Sequence, residues 1–344
     1  MMHNIYRKKT VSTAICFLQA EEYFEYVNSI LGKVIAMIYD NIGQLIGRTP
    51  MVRLHLNKPE IKAELLAKVE SFNPGGSIKD RVGAHMLLDA EEKGLISPGA
   101  TIIEPTSGNT GVGLALVCAV KGYKLILTMP ENMSIERRLL LKAYGAELIL
   151  TPKELGMQGA VDKANELKQQ NPNSFIPQQF SNPTNPLAHE LTTAKEILED
   201  TNGNINIFVA SIGTGGTLCG CAKTLKKFNN NIKIYGIEPE NSPLITQGKA
   251  SSHKIQGIGA NFIPKNYNNQ FVDEVLTVNE SVALKTARNL AQKEGILCGI
   301  SSGANVAKAL ELAQKEENRG KIIVTIICDT GERYLSNELF NYDR

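Results

Sequence analysis

From Met37 onward the chain alternates short apolar, β-branched runs with longer amphipathic ones, and this alternation narrows the fold more than any other feature. Strand-like runs occupy 64–69, 101–104, 124–129, 146–151, 206–211, 233–238, 273–278 and 321–328. Helical periodicity fills 77–93, 111–121, 134–144, 157–170, 186–200, 216–227, 280–294 and 303–317. Apolar strands separated by amphipathic helices argue for parallel sheets covered on both faces. The expected fold class is therefore α/β, with two three-layer α/β domains built on mostly parallel twisted sheets. The segment "NPNSFIPQQFSNPTNP" at 171–186, with prolines at 172, 177, 183 and 186, is the candidate boundary. Residues 37–182 then form an N-terminal domain, whose first segment can pack on the other, and 183–344 a C-terminal one. Sheets of this kind bind ligands beyond the carboxyl ends of their strands, so the cleft between the halves is the expected site.

Charge and cysteine usage remove several classes of function. Lys plus Arg number 37 against 35 Asp plus Glu, a net charge of +2, which gives no electrostatic case for nucleic acid or an anionic membrane. No apolar stretch approaches the roughly 20 residues that cross a bilayer. The six cysteines (16, 118, 219, 221, 298, 328) lack C-x-x-C spacing and the five histidines are dispersed, so no metal site is expected. Buried, reduced thiols in the cytoplasm are the natural reading. Residues 1–36 carry Arg7, Lys8 and Lys9 ahead of a short apolar run and "EEYFEY". They are expected to be an N-terminal extension that the fold does without, disordered or not native if Met37 is the natural beginning, with organelle targeting as the other reading.

Three loops each join a strand to a helix and collect donors. In "EPTSGNTG" (104–111) the backbone N–H groups and the hydroxyls of Thr106, Ser107 and Thr110 converge at a helix start, an anion cradle suited to a carboxylate. The spacing fits an ordinary capped connection equally well, although capping alone does not require Asn109. In "GTGGT" (213–217) the glycines at 213, 215 and 216 let backbone approach a ligand while Thr214 and Thr217 add hydroxyls, which favours a phosphate. The loop lacks the G-K-[ST] ending of a triphosphate site, and Leu218 occupies the third glycine position of G-x-G-x-x-G. "GISSG" (299–303) matches a hydrolase nucleophile elbow, but no histidine follows His253, so the Ser–acid–His order cannot be completed. Lys79, in "NPGGSIKDR", falls in the first turn of a helix whose start has the look of a Ser77–Asp80 capping box. A cation there opposes the helix dipole.

Lys79, "PTSGNTG", "GTGGT", "GISSGA" and "DTGERYLS" (329–336) occur in one order from Met37 to the C-terminus. Together they resemble the cysteine synthase (O-acetylserine sulfhydrylase) family of pyridoxal 5'-phosphate enzymes with the tryptophan-synthase-β-like fold. The resemblance implies a cofactor in the interdomain cleft, joined to Lys79 as a Schiff base. It implies that Asn109 bonds the cofactor's 3′-oxygen, that Gly213, Thr214, Gly215, Gly216 and Thr217 hold its phosphate, and that Ser301 faces the pyridine nitrogen. Thr106, Ser107, Asn109, Thr110 and Gln179 would grip the substrate carboxylate. The implied reaction is β-replacement, converting O-acetyl-L-serine and sulfide to L-cysteine and acetate through an α-aminoacrylate. Physical chemistry agrees in one respect: an amine of pKa ~10.4 is protonated at neutral pH, and the helix dipole lowers it by less than one unit. Burial and imine formation must do the remainder. A neutral hydroxyl at the ring nitrogen makes a weaker electron sink than an aspartate, which suits elimination of a good leaving group.

The same resemblance implies a homodimer and, as a partner, the C-terminal tail of serine acetyltransferase. Cystathionine β-synthase-type chemistry and an O-phosphoserine-using reaction are the alternatives on this scaffold; the second wants an extra cation in the cleft, which the sequence does not reveal. "QGIGANFIP" (256–264) departs from the family by carrying Asn261 where relatives usually have a second glycine.

Overall fold

The computed structural model describes residues 38–56, 60–106, 108–131, 133 and 135–340. By its contacts the chain divides into Met1–Asp40 and Asn41–Arg344. The expectations for residues 1–36 lie outside the described residues, and the architecture below is that of the second unit.

Its strands are β1 (Met51–Arg53), β2 (Glu64–Val69), β3 (Thr101–Pro105), β4 (Lys124–Pro130), β5 (Glu147–Thr151), β6 (Ser174–Phe175), β7 (Ile207–Ser211), β8 (Lys233–Pro239), β9 (Glu274–Val278) and β10 (Ile322–Ile327). Its helices are α1 (Lys79–Glu92), α2 (Asn109–Lys121), α3 (Ile135–Ala143), α4 (Gly156–Gln170), α5 (Thr184–Leu191), α6 (Thr193–Asp200), α7 (Gly216–Phe228), the single turn α8 (Leu244–Gln247), α9 (Glu280–Glu294) and α10 (Ile300–Gln314). A six-stranded sheet runs β1-β2-β10-β7-β8-β9 and a four-stranded one β5-β4-β3-β6. Only the β1–β2 pair is antiparallel among the described strands.

Period-two patterning divides the apolar residues between the faces of each sheet. In β7, Ile207 and Val209 pack with α9 and α10, while Phe208 and Ala210 pack with α6 and α7. β10 does the same with Ile323 and Ile327 against Val324 and Ile326. In the smaller sheet Ile102, Leu125 and Leu127 meet α1 and α2, whereas Ile103 and Ile126 meet Ala164 of α4. Both sheets are thus covered on both faces, as expected of an α/β chain. The Pro-rich segment 171–186 holds β6 and the start of α5, and β1 and β2 pair into the larger sheet through β10.

Two local expectations are corrected. The helix expected over 186–200 is two helices that meet at Thr192 (φ −123°, ψ −77°), whose hydroxyl donates to the Ala188 carbonyl at 2.6 Å. Such a back-bond to the preceding turn competes with the helix ladder. The Ser77–Asp80 capping box does not form either. Ser77 Oγ accepts from the Lys79 N–H at 3.2 Å, and Asp80 Oδ2 accepts from the Gly75 N–H at 2.5 Å. Residues 76–78 are held out of the helix by a bridge to 328–330, with Ile78 N–H donating to Cys328 O (2.9 Å) and Thr330 N–H to Gly76 O (3.2 Å).

Candidate active site

Lys79 begins α1 directly after that bridge, so the exit of β10 fixes where the lysine starts. A second constraint comes from α2. A Cβ on Gly83 would lie 2.7 Å from Gly113 C, and one on Gly113 would lie 2.6 Å from Lys79 O. Only glycines allow this backbone-to-backbone crossing, and it sets the first turns of α1 and α2 side by side.

A cavity of about 320 Å³ lies where these elements meet. Lys79, Thr106, Asn109, Thr110, Gln179, Gly213, Thr214, Gly215, Thr217 and Ser301 all line it, so residues up to 222 positions apart in sequence share one wall. Gly216 follows in the same loop as the first residue of α7, and Ser107 lies outside the described residues. The glycine loop is closed to side chains: a Cβ at Gly213 would meet Gly257 O at 2.4 Å, and one at Gly216 would meet Asn185 Oδ1 at 1.9 Å. Gly215 takes the left-handed region at φ 82°.

Burial dominates the electrostatics. The Lys79 amine is lowered below its ordinary value by desolvation, although Cys328, Asp329 and Glu70 pull it back in part. That drives it toward the neutral form, which can act as nucleophile or base. His189 is held well below its usual range by desolvation and then by nearby cations, so it is neutral. Its Nε2 lies 3.3 Å from Thr217 Oγ1 and its Nδ1 2.9 Å from Thr193 Oγ1. Burial pushes the Cys328 thiol up to about 11, with the Ser301 hydroxyl bonded to it.

Asp329, Arg333, Tyr334 and Arg137 were given no individual role by the sequence. Asn109 Nδ2 donates to Asp329 Oδ2 at 2.7 Å, its Oδ1 accepts from Arg333, and Tyr334 OH donates to the same Asp329 oxygen at 2.6 Å. The "DTGERYLS" element thereby engages both ends of the Asn109 amide. Arg137 also lines the cavity, 5.4 Å over the Tyr334 ring and bonded to Gln256 Oε1 at 2.7 Å. This is a cleft cation that the sequence did not reveal; its signal, the basic "ERR" at 136–138, reads as an ordinary solvated helix face. Asn261 adopts φ 62° and accepts from Ser242 Oγ at 2.8 Å. The left-handed backbone explains why glycine or asparagine suits that position. At the rim, Phe180 and Phe262 meet edge to face at 5.0 Å.

The "GISSG" run is entered from the loop 295–299 and not from a strand, so it lacks the strand–turn–helix setting of a nucleophile elbow. Among the described residues no group of three or more His, Cys, Asp or Glu could hold a metal ion. No described helix is long and apolar enough to cross a membrane.

Comparison with known proteins agrees with this geometry. Residues 42–329 match the family described as pyridoxal-phosphate dependent enzyme. A cysteine synthase of Staphylococcus aureus is 52% identical over 305 residues, which cover 88% of this chain and 98% of that one. The crystal structure of a cysteine synthase from Entamoeba histolytica superposes with a TM-score of 0.87 at 45% identity, covering 91% of this chain and 94% of that one. An O-acetylserine-dependent cystathionine β-synthase from Helicobacter pylori superposes with a TM-score of 0.83 at 40% identity, covering 88% and 99% respectively.

Proposed function

This chain belongs to the pyridoxal-phosphate dependent enzyme family, and from that premise we propose that its cleft makes L-cysteine and acetate from O-acetyl-L-serine and sulfide. The observation that carries the reading is the Lys79 amine, lowered below its ordinary value by desolvation, which shares one cavity with a glycine loop that excludes side chains and with the hydroxyls of Thr106 and Thr110.

These residues fit pyridoxal phosphate. Gly213 through Thr217 supply backbone N–H groups and hydroxyls at the N-terminus of α7 for the phosphate. Ser301, buried at the start of α10, serves the ring nitrogen, and Asn109 the 3′-oxygen. Bound there, the cofactor supplies an aldehyde that condenses with Lys79 and a ring that draws electron density from the substrate's Cα. Everything else falls to the protein. Thr106, Ser107, Asn109, Thr110 and Gln179 orient the substrate carboxylate. Lys79 Nζ, once released, takes the α-proton so that acetate leaves from the β-carbon; sulfide adds in its place and Lys79 returns the proton to Cα.

Cystathionine synthesis is the reading favoured by the Helicobacter pylori relative, and the two separate at the acceptor. On adding O-acetylserine to purified protein, the visible band of the cofactor should shift, and sulfide should restore it with release of cysteine. Turnover of O-acetylserine with homocysteine but not with sulfide would reject the proposal. Lys79→Ala should abolish borohydride fixation of the cofactor. The same reading makes the enzyme a cytoplasmic homodimer whose cleft also receives the C-terminal tail of a serine acetyltransferase. The unbridged state of the five described cysteines supports a reducing compartment. Light scattering and titration with the tail peptide check the assembly.

A further inference from the structure

Glu104 is 1% exposed at the end of β3, and among its charged neighbours none offsets its charge. Its carboxylate is matched instead by backbone: Oε2 accepts from the Gln178 N–H at 2.9 Å and Oε1 from the Gln179 N–H at 3.1 Å. Among uncharged and charged side chains of this length, only a carboxylate accepts at both oxygens. The turn it grips is strained, since Gln178 is a non-glycine residue at φ 58°. Gln179 is then held on its other sides as well. Its carbonyl accepts from Asn185 Nδ2 and Asn266 Nδ2, each at 2.8 Å, and its Oε1 accepts from the Thr110 hydroxyl at 2.6 Å. With that oxygen engaged, the side chain presents N–H donors, the group that a carboxylate ligand requires.

We propose that Glu104 is a positioning residue for the reaction: it clamps the 178–179 turn so that the Gln179 amide meets the carboxylate of the amino-acid substrate. The inference rests on the β-replacement reading and deepens it. Burial raises the Glu104 carboxyl to about 7, and besides burial only the two amides shift it. Protonation removes one acceptor, so the clamp loosens as the pH falls below 7.

The test compares amino-acid affinity in the cofactor-loaded wild type, Glu104→Gln, Gln179→Ala and the double variant, titrated with O-acetylserine and followed in the visible spectrum. Glu104→Gln places an NH2 group against a backbone N–H and should weaken binding at least tenfold. The KM for sulfide and the cofactor absorbance per subunit should not change. The double variant should be no weaker than Gln179→Ala alone, because both act through one group. In wild type the dissociation constant should rise as pH drops from 8 to 6 more steeply than in Gln179→Ala, a comparison that needs no Glu104 variant to fold. Unchanged affinity in Glu104→Gln, additive losses in the double variant, or equal pH slopes would each overturn the assignment. If wild type ignores O-acetylserine, the proposed reaction fails, and the same comparison is then run with L-serine, with the same outcomes deciding the role of Glu104.

Discussion

A single hydrogen atom separates Gly216 from alanine's methyl position, and here that difference reaches a buried amide. The added Cβ would fall 1.9 Å from Asn185 Oδ1, while Asn185 Nδ2 bonds both Gln179 O (2.8 Å) and Thr214 Oγ1 (2.9 Å). Gly216→Ala must therefore displace the residue that ties the glycine loop to the 178–179 turn. Its affinity for pyridoxal phosphate, measured by spectrophotometric titration, should fall more than tenfold while the far-UV circular dichroism is kept. Ser301→Ala tests a gentler role: the cofactor should remain bound and turnover should drop only partly. The three loops stood out in the sequence because each concentrates special residue types within a few positions, but the roles expected of Lys79 and of the loop residues came with the family resemblance and not with spacing. Glu104, Asn185 and Asn266 were not. Each is an unremarkable polar residue until the fold brings its partner, 75, 29 or 87 positions away, into contact.

At the scale of elements, α1 is anchored by charge beneath its Lys79 end. Arg81 and Glu70 are both fully buried and paired at 2.7 Å, and Arg81 also meets Glu196 at 2.6 Å. Glu70 additionally accepts from the Thr49 hydroxyl at 2.6 Å and from Asn73 Nδ2 at 2.8 Å. Removing one member strands the rest without water, at a typical cost of ~3–5 kcal/mol. Glu70→Ala should lower the free energy of unfolding by about that much in a urea titration. A loss under 1 kcal/mol would mean that Arg81 finds other partners. Helix and strand positions were largely readable, since periodicity is a local property. The break at Thr192 was not, because apolar spacing continues across it and a hydroxyl back-bond leaves no mark in the pattern. The capping box failed for a different reason: the residues that would form it are engaged by strand-like pairing to 328–330.

Across the whole molecule, buried carboxyls make stability depend on pH in a direction that can be stated. Burial raises Glu104 from 4.5 to about 7 and Asp80 from 3.8 to about 7. A raised carboxyl favours the folded state fully below its unfolded value, and that contribution is lost as the pH climbs through 7. At ~1.36 kcal/mol per unit, each is worth on the order of 3 kcal/mol. Glu196, lowered to about 2 with its Arg81 partner, acts oppositely and loses its contribution as the pH falls below 4.5. Lys79 and His189, both lowered by burial, push total stability the other way, so the sign is read in the difference: the wild-type unfolding free energy relative to Glu104→Gln should decline as the pH rises toward 7, and a rise in that difference would contradict the assignment. The parallel pairing of β2 with β10, residues 64–69 beside 322–327, has a kinetic side. A nascent polypeptide emerging from the ribosome has Lys79 in place some 250 residues before the neighbours that orient it. Until that late partner is synthesised, the larger sheet cannot close and the amine has no pocket, so acquisition of the vitamin should begin only after translation of this chain is nearly complete.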